Sequence, residues 1–424
     1  MATLAIEPGV SNTHTNTGAN ISTNVAQIGR WVDYTVLPDF AEMRAHGPVH
    51  HCPESGYGPY WSIVGHREIM EAEGHPEIFS SSWDKGGITI ADRDNVQNPC
   101  EEPPLPMFIA MDRPQHTGQR RTVAPAFTPA EMVRTSADIR RRTADLLDSL
   151  PTGETFDWVD KVSIELTTGM LALLFDFPWQ DRRLLSKWSD WATDFESVVD
   201  AERNKQRWEI LYECVGYFTN LWNERKDKEP RPDLISMMIH SDATKNMTTQ
   251  EYLGNLILLI VGGNDTTRNT MSGAAMAQTL HPANWQAMMA NPERIPNGVA
   301  ELLRWQTPLA HMRRTATQDS EIGGRLIRAG DKVVLWYLSA NRDESVFANA
   351  DMFDPLRANA RRHLSFGFGI HRCVGARLAE LQLNVLLEEM QKRRMVIELA
   401  GDVHRVPSSF VHGYREMPVT MRRG

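Results

Sequence analysis

Phe366-Gly-Phe-Gly-Ile-His-Arg-Cys-Val-Gly375 is the stretch on which the fold of this 424-residue chain turns. Gly367, Gly369 and Gly375 surround one cysteine, and the apolar period of a helix, ARLAELQLNVLLEEMQKR, begins just after it. Glycine lets backbone pass close to a flat ligand. A cysteine at a helix N-terminus, near free N–H groups and the positive end of the dipole, is favoured as thiolate and can ligate a metal. A lone cysteine in a turn is more often a buried thiol; bracketed by glycines and followed at once by helix, Cys373 is read as a ligand.

Upstream, Thr248-Thr-Gln-Glu251 has the spacing of a capping box, and the helical pattern it opens continues until Pro282. Such a helix would run roughly 45–50 Å, enough to cross a large domain. Gly262-Gly-Asn-Asp-Thr-Thr267 lies in its middle, where each glycine costs about 1 kcal/mol relative to alanine. A small-residue helix crossing is the plain explanation. An acid next to an alcohol, Asp265 and Thr266, is also the least that relayed proton delivery in a dry pocket requires. The same reading turns Leu258, Val261 and Gly262 to the side of Asp265 and Thr266. Between this helix and the cysteine segment, Glu301 and Arg304 stand three apart on a helix opened by Pro296 and followed by Pro308; taken alone, such a pair is solvated and weak. His116 and Arg120, four apart, share a helical face.

The bulk numbers narrow the class. A hydrophobic fraction of 41% with 23% charged residues is that of a globular chain with a sizeable core. The net charge of −9 starts from the wrong sign for phosphate, so nucleic-acid binding is excluded as a whole-surface role. Cys52, Cys100, Cys214 and Cys373 are scattered without CxxC spacing, which argues against a disulfide framework or structural zinc and suits a reducing cytoplasm. The N-terminus lacks the basic-then-apolar pattern of a secretory signal, and Leu253–Val261, the most apolar segment, falls short of the ~20 residues of a membrane span, so no transmembrane anchor is expected.

Residues 1–30 read as a polar, disordered arm and 31–424 as one domain, since no repeat or Gly/Ser linker divides the chain. Helical periodicity dominates 132–223, whereas 83–110, rich in Gly, Pro, Asp and Asn, reads as a long irregular connection. Strand patterns are few: Tyr60–Val64, Val333–Leu338, Val396–Leu399 and Val419–Met421. The expected class is mainly α with a smaller β region and a long central helix.

The cysteine segment resembles the heme-binding signature of the cytochrome P-450 superfamily at Phe366, Gly367, Gly369, His371, Cys373 and Gly375, and the other motifs follow in that family's order from about residue 30 onward. The resemblance implies the P-450 fold, heme b as cofactor and Cys373 as axial iron ligand, a thiolate that favours O–O cleavage. It implies that Glu301, Arg304 and, from Phe353-Asp-Pro-Leu-Arg357, Arg357 form a buried structural network behind the heme loop. It implies that the central helix opens into an oxygen groove, with Thr266 beside the oxygen site and Asp265 feeding protons through water. His116, Arg120, Arg314 and His371 match positions that hold the heme carboxylates, and Ile88–Ile90, Leu258, Val261, Gly262, Leu309, Phe410 and Val411 match pocket walls.

The implied reaction places one oxygen atom of O₂ into a C–H bond of a hydrophobic small molecule. No flavin or iron–sulfur segment follows the last strands, so electrons are expected from a separate ferredoxin and its reductase. MDRPQHTGQRR together with GGNDTTRNT resembles the bacterial P-450 group that hydroxylates terminal carbons of medium-chain alkanes and fatty acids. Another apolar substrate such as a terpenoid, a peroxide-driven peroxygenase, and a heme carrier or sensor without turnover are the alternatives. Arg361, Arg362, Arg372 and Arg377, with Lys392, Arg393 and Arg394 further on, read either as a docking patch for an acidic ferredoxin or as a solvated rim.

Overall fold

The computed structural model describes residues 23–92, 103–194 and 200–424. Thr249–Leu280, the central helix, is 32 residues long, about 48 Å at the standard rise. Its start is fixed as the sequence requires: Glu251 N–H donates to Thr248 Oγ1 at 3.2 Å while Glu251 Oε2 accepts from Thr248 N–H at 2.8 Å. His281 caps it ahead of Pro282. It stays continuous through Gly262–Thr267, so the expected opening of the helix into a groove is not what is seen. Thr266 Oγ1 donates to the Gly262 carbonyl at 2.9 Å and lies along the helix wall.

Helices pack around this axis. Arg183–Ala192, Glu165–Phe175 and Ala201–Arg225 lie against it, and the helix after Cys373, Ala376–Lys392, lies along Pro129–Ser149. Arg393 reaches Asp148 at 2.7 Å and its neighbour Lys392 reaches Glu389 at 2.6 Å. Lys392 and Arg393 are therefore engaged with carboxylates, which removes them from the expected docking patch.

The five-stranded sheet has the order Val49–Cys52, Tyr60–Ile63, Lys332–Trp336, His311–Ala316, Phe79–Ser80. Tyr60–Ile63 runs parallel to Lys332–Trp336, and Arg314 pairs with Val333 across the antiparallel edge. A second sheet joins Thr155–Asp157, Pro418–Arg423 and Met395–Leu399. The class is the expected one, mainly α with smaller sheets. His311–Ala316 gave no strand signal because HMRRTA reads as a basic surface run; both of its arginines are buried.

Of the arm expected over 1–30, residues 1–22 lie outside the described residues. Residues 23–30 are docked, with Val25 and Ala26 fully buried and Trp31 Nε1 donating to the Val25 carbonyl at 2.8 Å. A buried indole N–H needs an acceptor, and this backbone supplies it. In the irregular connection only short turns of helix form, Trp83–Lys85 and Phe108–Ala110, and 93–102 lie outside the described residues. Among the described residues no helix is long and apolar enough to cross a membrane.

Candidate active site

Between the central helix and the 366–375 loop lies a cleft whose empty space, counted out into its open mouth, is about 1300 Å³. The loop is shaped by two glycines in the left-handed region, Gly367 and Gly369, each at φ +64°. A side chain at 369 would also strike backbone, since its Cβ would sit 2.3 Å from the Glu73 carbonyl oxygen. Cys373 N–H closes the loop onto the Phe366 carbonyl at 2.8 Å. The sulfur is exposed to the cleft although it lies deep beneath the protein surface. Burial pushes the thiol up, opposed by the Gly375 N–H, Arg120 and Arg372. The helix start alone thus does not hold Cys373 as thiolate; a bound metal would.

Across the cleft the central helix presents Leu258, Gly262, Thr266 and Thr270. A Cβ built on Gly262 meets nothing within 4 Å, and one on Gly375 meets nothing closer than 3.8 Å. Both glycines therefore leave room for a flat group. Asp265 does not join this face: at about 100° per residue it falls outside the arc from Leu258 to Thr267 that lines the cleft. It is buried on the far side, where it pairs with Arg268 at 2.9 Å and accepts from Ser189 at 2.8 Å, Asn264 at 2.9 Å and Thr193 at 3.1 Å. Arg268 in turn reaches Asp190 at 2.7 Å.

One rim of the cleft is cationic. Arg120, Arg314 and His371 line it, and His116 lies behind His371 with ring centroids 4.4 Å apart. Arg120 also donates to the Arg372 carbonyl at 2.5 Å. All four imidazole nitrogens of His116 and His371 are buried without a hydrogen-bond partner. Burial pushes His116 down to about 4, with Arg120 and Arg113 adding to it, and pushes His371 down to about 2, with Arg314, His116 and Arg120 adding to that. Unpartnered buried donors beside two guanidiniums suit a ligand carrying carboxylates. Among the described residues no three His, Cys, Asp or Glu side chains converge here, so a metal on Cys373 would bring its other ligands with it, as heme iron does. The residues fit heme.

Behind the loop, Glu301 and Arg304 are fully buried and Arg357 is 7% exposed. Arg304 holds both Glu301 oxygens at 2.7 Å, and Arg357 Nε approaches both at 3.1 Å. Arg304 also donates to the carbonyls of Asn341 and Ala350. From Asn341 the network reaches the cysteine loop directly, through Leu364 N–H at 2.7 Å and the Ser365 hydroxyl at 2.9 Å. Neither Asn341 nor Ser365 carries a sequence signal of its own.

Of the expected walls, Leu258, Gly262 and Leu309 line the cleft, as do Phe366 and Gly367. Ile88, Val261, Phe410 and Val411 do not. Ile88 lends its carbonyl to Arg313 N–H, Val261 packs among helices, Val411 pairs with Leu309 from behind, and Phe410 stacks edge-on against His311. In their place stand Phe108, Ile109, Leu259 and Met312. Met312 was legible from Arg314, since alternate strand residues share a side.

Glu73 was missed altogether. It lines the cleft and is 4% exposed. Its helix, His66–Gly74, buries Ile69 and Ala72, and a charge on that same stripe is the signal that was available.

A cytochrome P-450 family model matches residues 293–393. Linalool 8-monooxygenase of Pseudomonas putida is 36% identical over 388 residues, covering 90% of this chain and 94% of that one. Methyl-branched lipid omega-hydroxylase of Mycobacterium tuberculosis is 31% identical, covering 92% and 93%. Among solved structures, cytochrome P-450-153 from Novosphingobium aromaticivorans superposes at a TM-score of 0.89 with 58% identity, covering 94% of this chain and 99% of that one.

Glu301→Ala strands two buried guanidiniums, a change that costs about 3–5 kcal/mol. Chemical denaturation and the heme content of the purified variant should both fall; a variant within about 1 kcal/mol of wild type with full heme content would contradict the bracing role.

Proposed function

The chain belongs to the cytochrome P-450 family, and from that premise we propose that it hydroxylates the terminal carbon of a medium-chain alkane or fatty acid, with Cys373 as the iron ligand. It is a monooxygenase with heme b as cofactor and acts on a hydrophobic substrate. The observation that carries the proposal is the opposition of one sulfur, Cys373, to Thr266 and Gly262 across an apolar cleft with a cationic rim. The cleft takes residues from Glu73 through Leu383, so we treat the chain from residue 31 as one working unit.

When bound, heme supplies the activation of O₂ with two electrons and two protons. Arg120 and Arg314 would hold its carboxylates, with His371, backed by His116, as further donors. Thr266, whose proton is given to the Gly262 carbonyl, keeps its oxygen lone pairs toward the cleft and can accept from a water there. A water so held keeps its second proton to donate beside the oxygen site. For Asp265 to deliver protons it must turn away from Arg268. Asp190 remains on Arg268 when it does, so the swing leaves no buried cation unpaired.

Phe108, Ile109, Leu258, Leu259, Leu309 and Met312 give a hydrocarbon chain apolar walls. Attack at a terminal methyl needs end-on entry that keeps neighbouring methylenes away. Likeness to the omega-hydroxylase favours that reading, whereas likeness to the linalool 8-monooxygenase favours a terpenoid.

Electrons would come from a ferredoxin and its reductase. Arg362, Arg372 and Arg377 are exposed on the cysteine side without carboxylate partners among the described residues, and Phe368 stands 39% exposed beside them. Such a patch steers an acidic partner. Arg361 is less available, lying 3.9 Å from Glu380. We place the protein in the cytoplasm, where Cys52, Cys214 and Cys373, all unbridged, stay reduced.

Incubation with octane, dodecanoic acid and linalool, followed by product identification, should give terminal alcohols from the linear substrates; internal hydroxylation alone would overturn the terminal assignment. Thr266→Ala should lower product formed per O₂ consumed by about tenfold or more, while unchanged coupling would remove Thr266 from proton delivery. Charge reversal of Arg362 and Arg377 together should slow reduction by an acidic ferredoxin and flatten its salt dependence. An unchanged rate would place docking elsewhere.

A further inference from the structure

Glu73 has no place in the network of Glu301, yet it touches the site from another side. Its Oε1 accepts from Arg314 Nη2 at 3.0 Å and from the Tyr337 hydroxyl at 2.6 Å, and its Oε2 accepts from Phe368 N–H at 2.8 Å. Three groups of different origin, a strand arginine, a phenol and the backbone of the cysteine loop, all donate to one carboxylate. Its side chain is 2% exposed and that of Arg314 4%.

Three donors suit an anion. Burial holds the Glu73 carboxyl above its ordinary range, although Arg314, Tyr337 and the Phe368 N–H pull it part of the way back. Burial and the Glu73 charge hold the Tyr337 phenol well above its ordinary range, so it stays a donor. A neutral acid could find an acceptor only if the Tyr337 hydroxyl turned its own proton elsewhere, since the Arg314 guanidinium and the Phe368 N–H can only donate.

Arg314 is thereby shared. Glu73 occupies part of the guanidinium that would hold a heme carboxylate, and fixes its direction before any ligand arrives. With Glu73 and two heme carboxylates on this rim, three anions face Arg120 and Arg314, and the neutral imidazoles add no charge. We propose that Glu73 is a positioning residue that aims Arg314 at a heme carboxylate, ties the cysteine loop through Phe368, and as a buried anion lowers the affinity of the bound iron for an electron.

This rests on Cys373 holding heme iron, and the test separates the two claims. The measured step is one-electron reduction of ferric to ferrous iron by an external reductant, followed by dye-mediated potentiometry on wild-type, Glu73→Gln and Glu73→Asp holoenzymes. Loss of heme to an excess of apomyoglobin is followed in parallel. Removing one buried charge should shift the reduction equilibrium toward ferrous by about tenfold, equivalent to about 59 mV for one electron. Glu73→Asp keeps the charge but not the reach to both Arg314 and Phe368, so it should leave the potential near wild type and lose heme faster.

An unchanged potential in Glu73→Gln, or an equal shift in Glu73→Asp, would overturn the charge role. Redox-difference infrared spectra of the wild type and of Glu73→Asp give a second reading. Expected is no carboxylic-acid C=O band that differs between the two proteins; such a band, moved by Glu73→Asp, would overturn the proposal. Wild-type holoenzyme with histidine-type ligation would overturn both claims, whereas thiolate ligation with an unshifted Glu73→Gln overturns this one alone.

Discussion

The structure must keep one sulfur open to a cleft while burying the backbone that carries it. Left to itself, a ten-residue loop with two left-handed glycines would sample many shapes, each residue costing about 1–2 kcal/mol to order. Here it is tied from three directions. Glu301, Arg304 and Arg357 brace it from behind through Asn341 and Ser365, and Glu73 holds Phe368 N–H from the side. The Phe366 carbonyl closes it on itself. These ties lead to the Ser365 hydroxyl and to backbone groups that would otherwise lack partners, so the charged network is repaid by the loop it satisfies.

The other half of the site needs no such bracing, because it is one helix. A continuous 32-residue helix places Leu258, Gly262 and Thr266 in register four residues apart, one above another on a single wall. The same geometry sends Asp265 to the far side, into a polar cluster with Arg268, Asp190, Ser189 and Asn264. The acid and the alcohol are neighbours in sequence and belong to different faces. The helix wall is therefore fixed in position, and any traffic of protons between its faces depends on side-chain rotation.

Much of this was legible from residue types and spacing. The capping box, the length of the central helix, the ExxR pair and the glycine-flanked cysteine are local patterns, and local patterns survive folding. The failures have a common cause. Ile88, Phe410 and Val411 sit in loops whose approach to the cleft is set by tertiary packing, so no period marks them. Asp265 was expected beside Thr266 from their adjacency, but the cleft-facing arc of the helix, from Leu258 to Thr267, takes in Thr266 and leaves Asp265 outside it. Glu73 looks like Glu71 until the burial of Ile69 and Ala72 marks which stripe of the helix is inside.

The account stands on the bond between Cys373 and heme iron, for which cleft, rim and network are all arranged. The most direct measurement is the absorption spectrum of the reduced, carbon-monoxide-bound protein. Thiolate ligation predicts a strongly red-shifted Soret band that is lost in Cys373→Ser. A band at the position of histidine-ligated heme, or one unaffected by that substitution, would contradict the account.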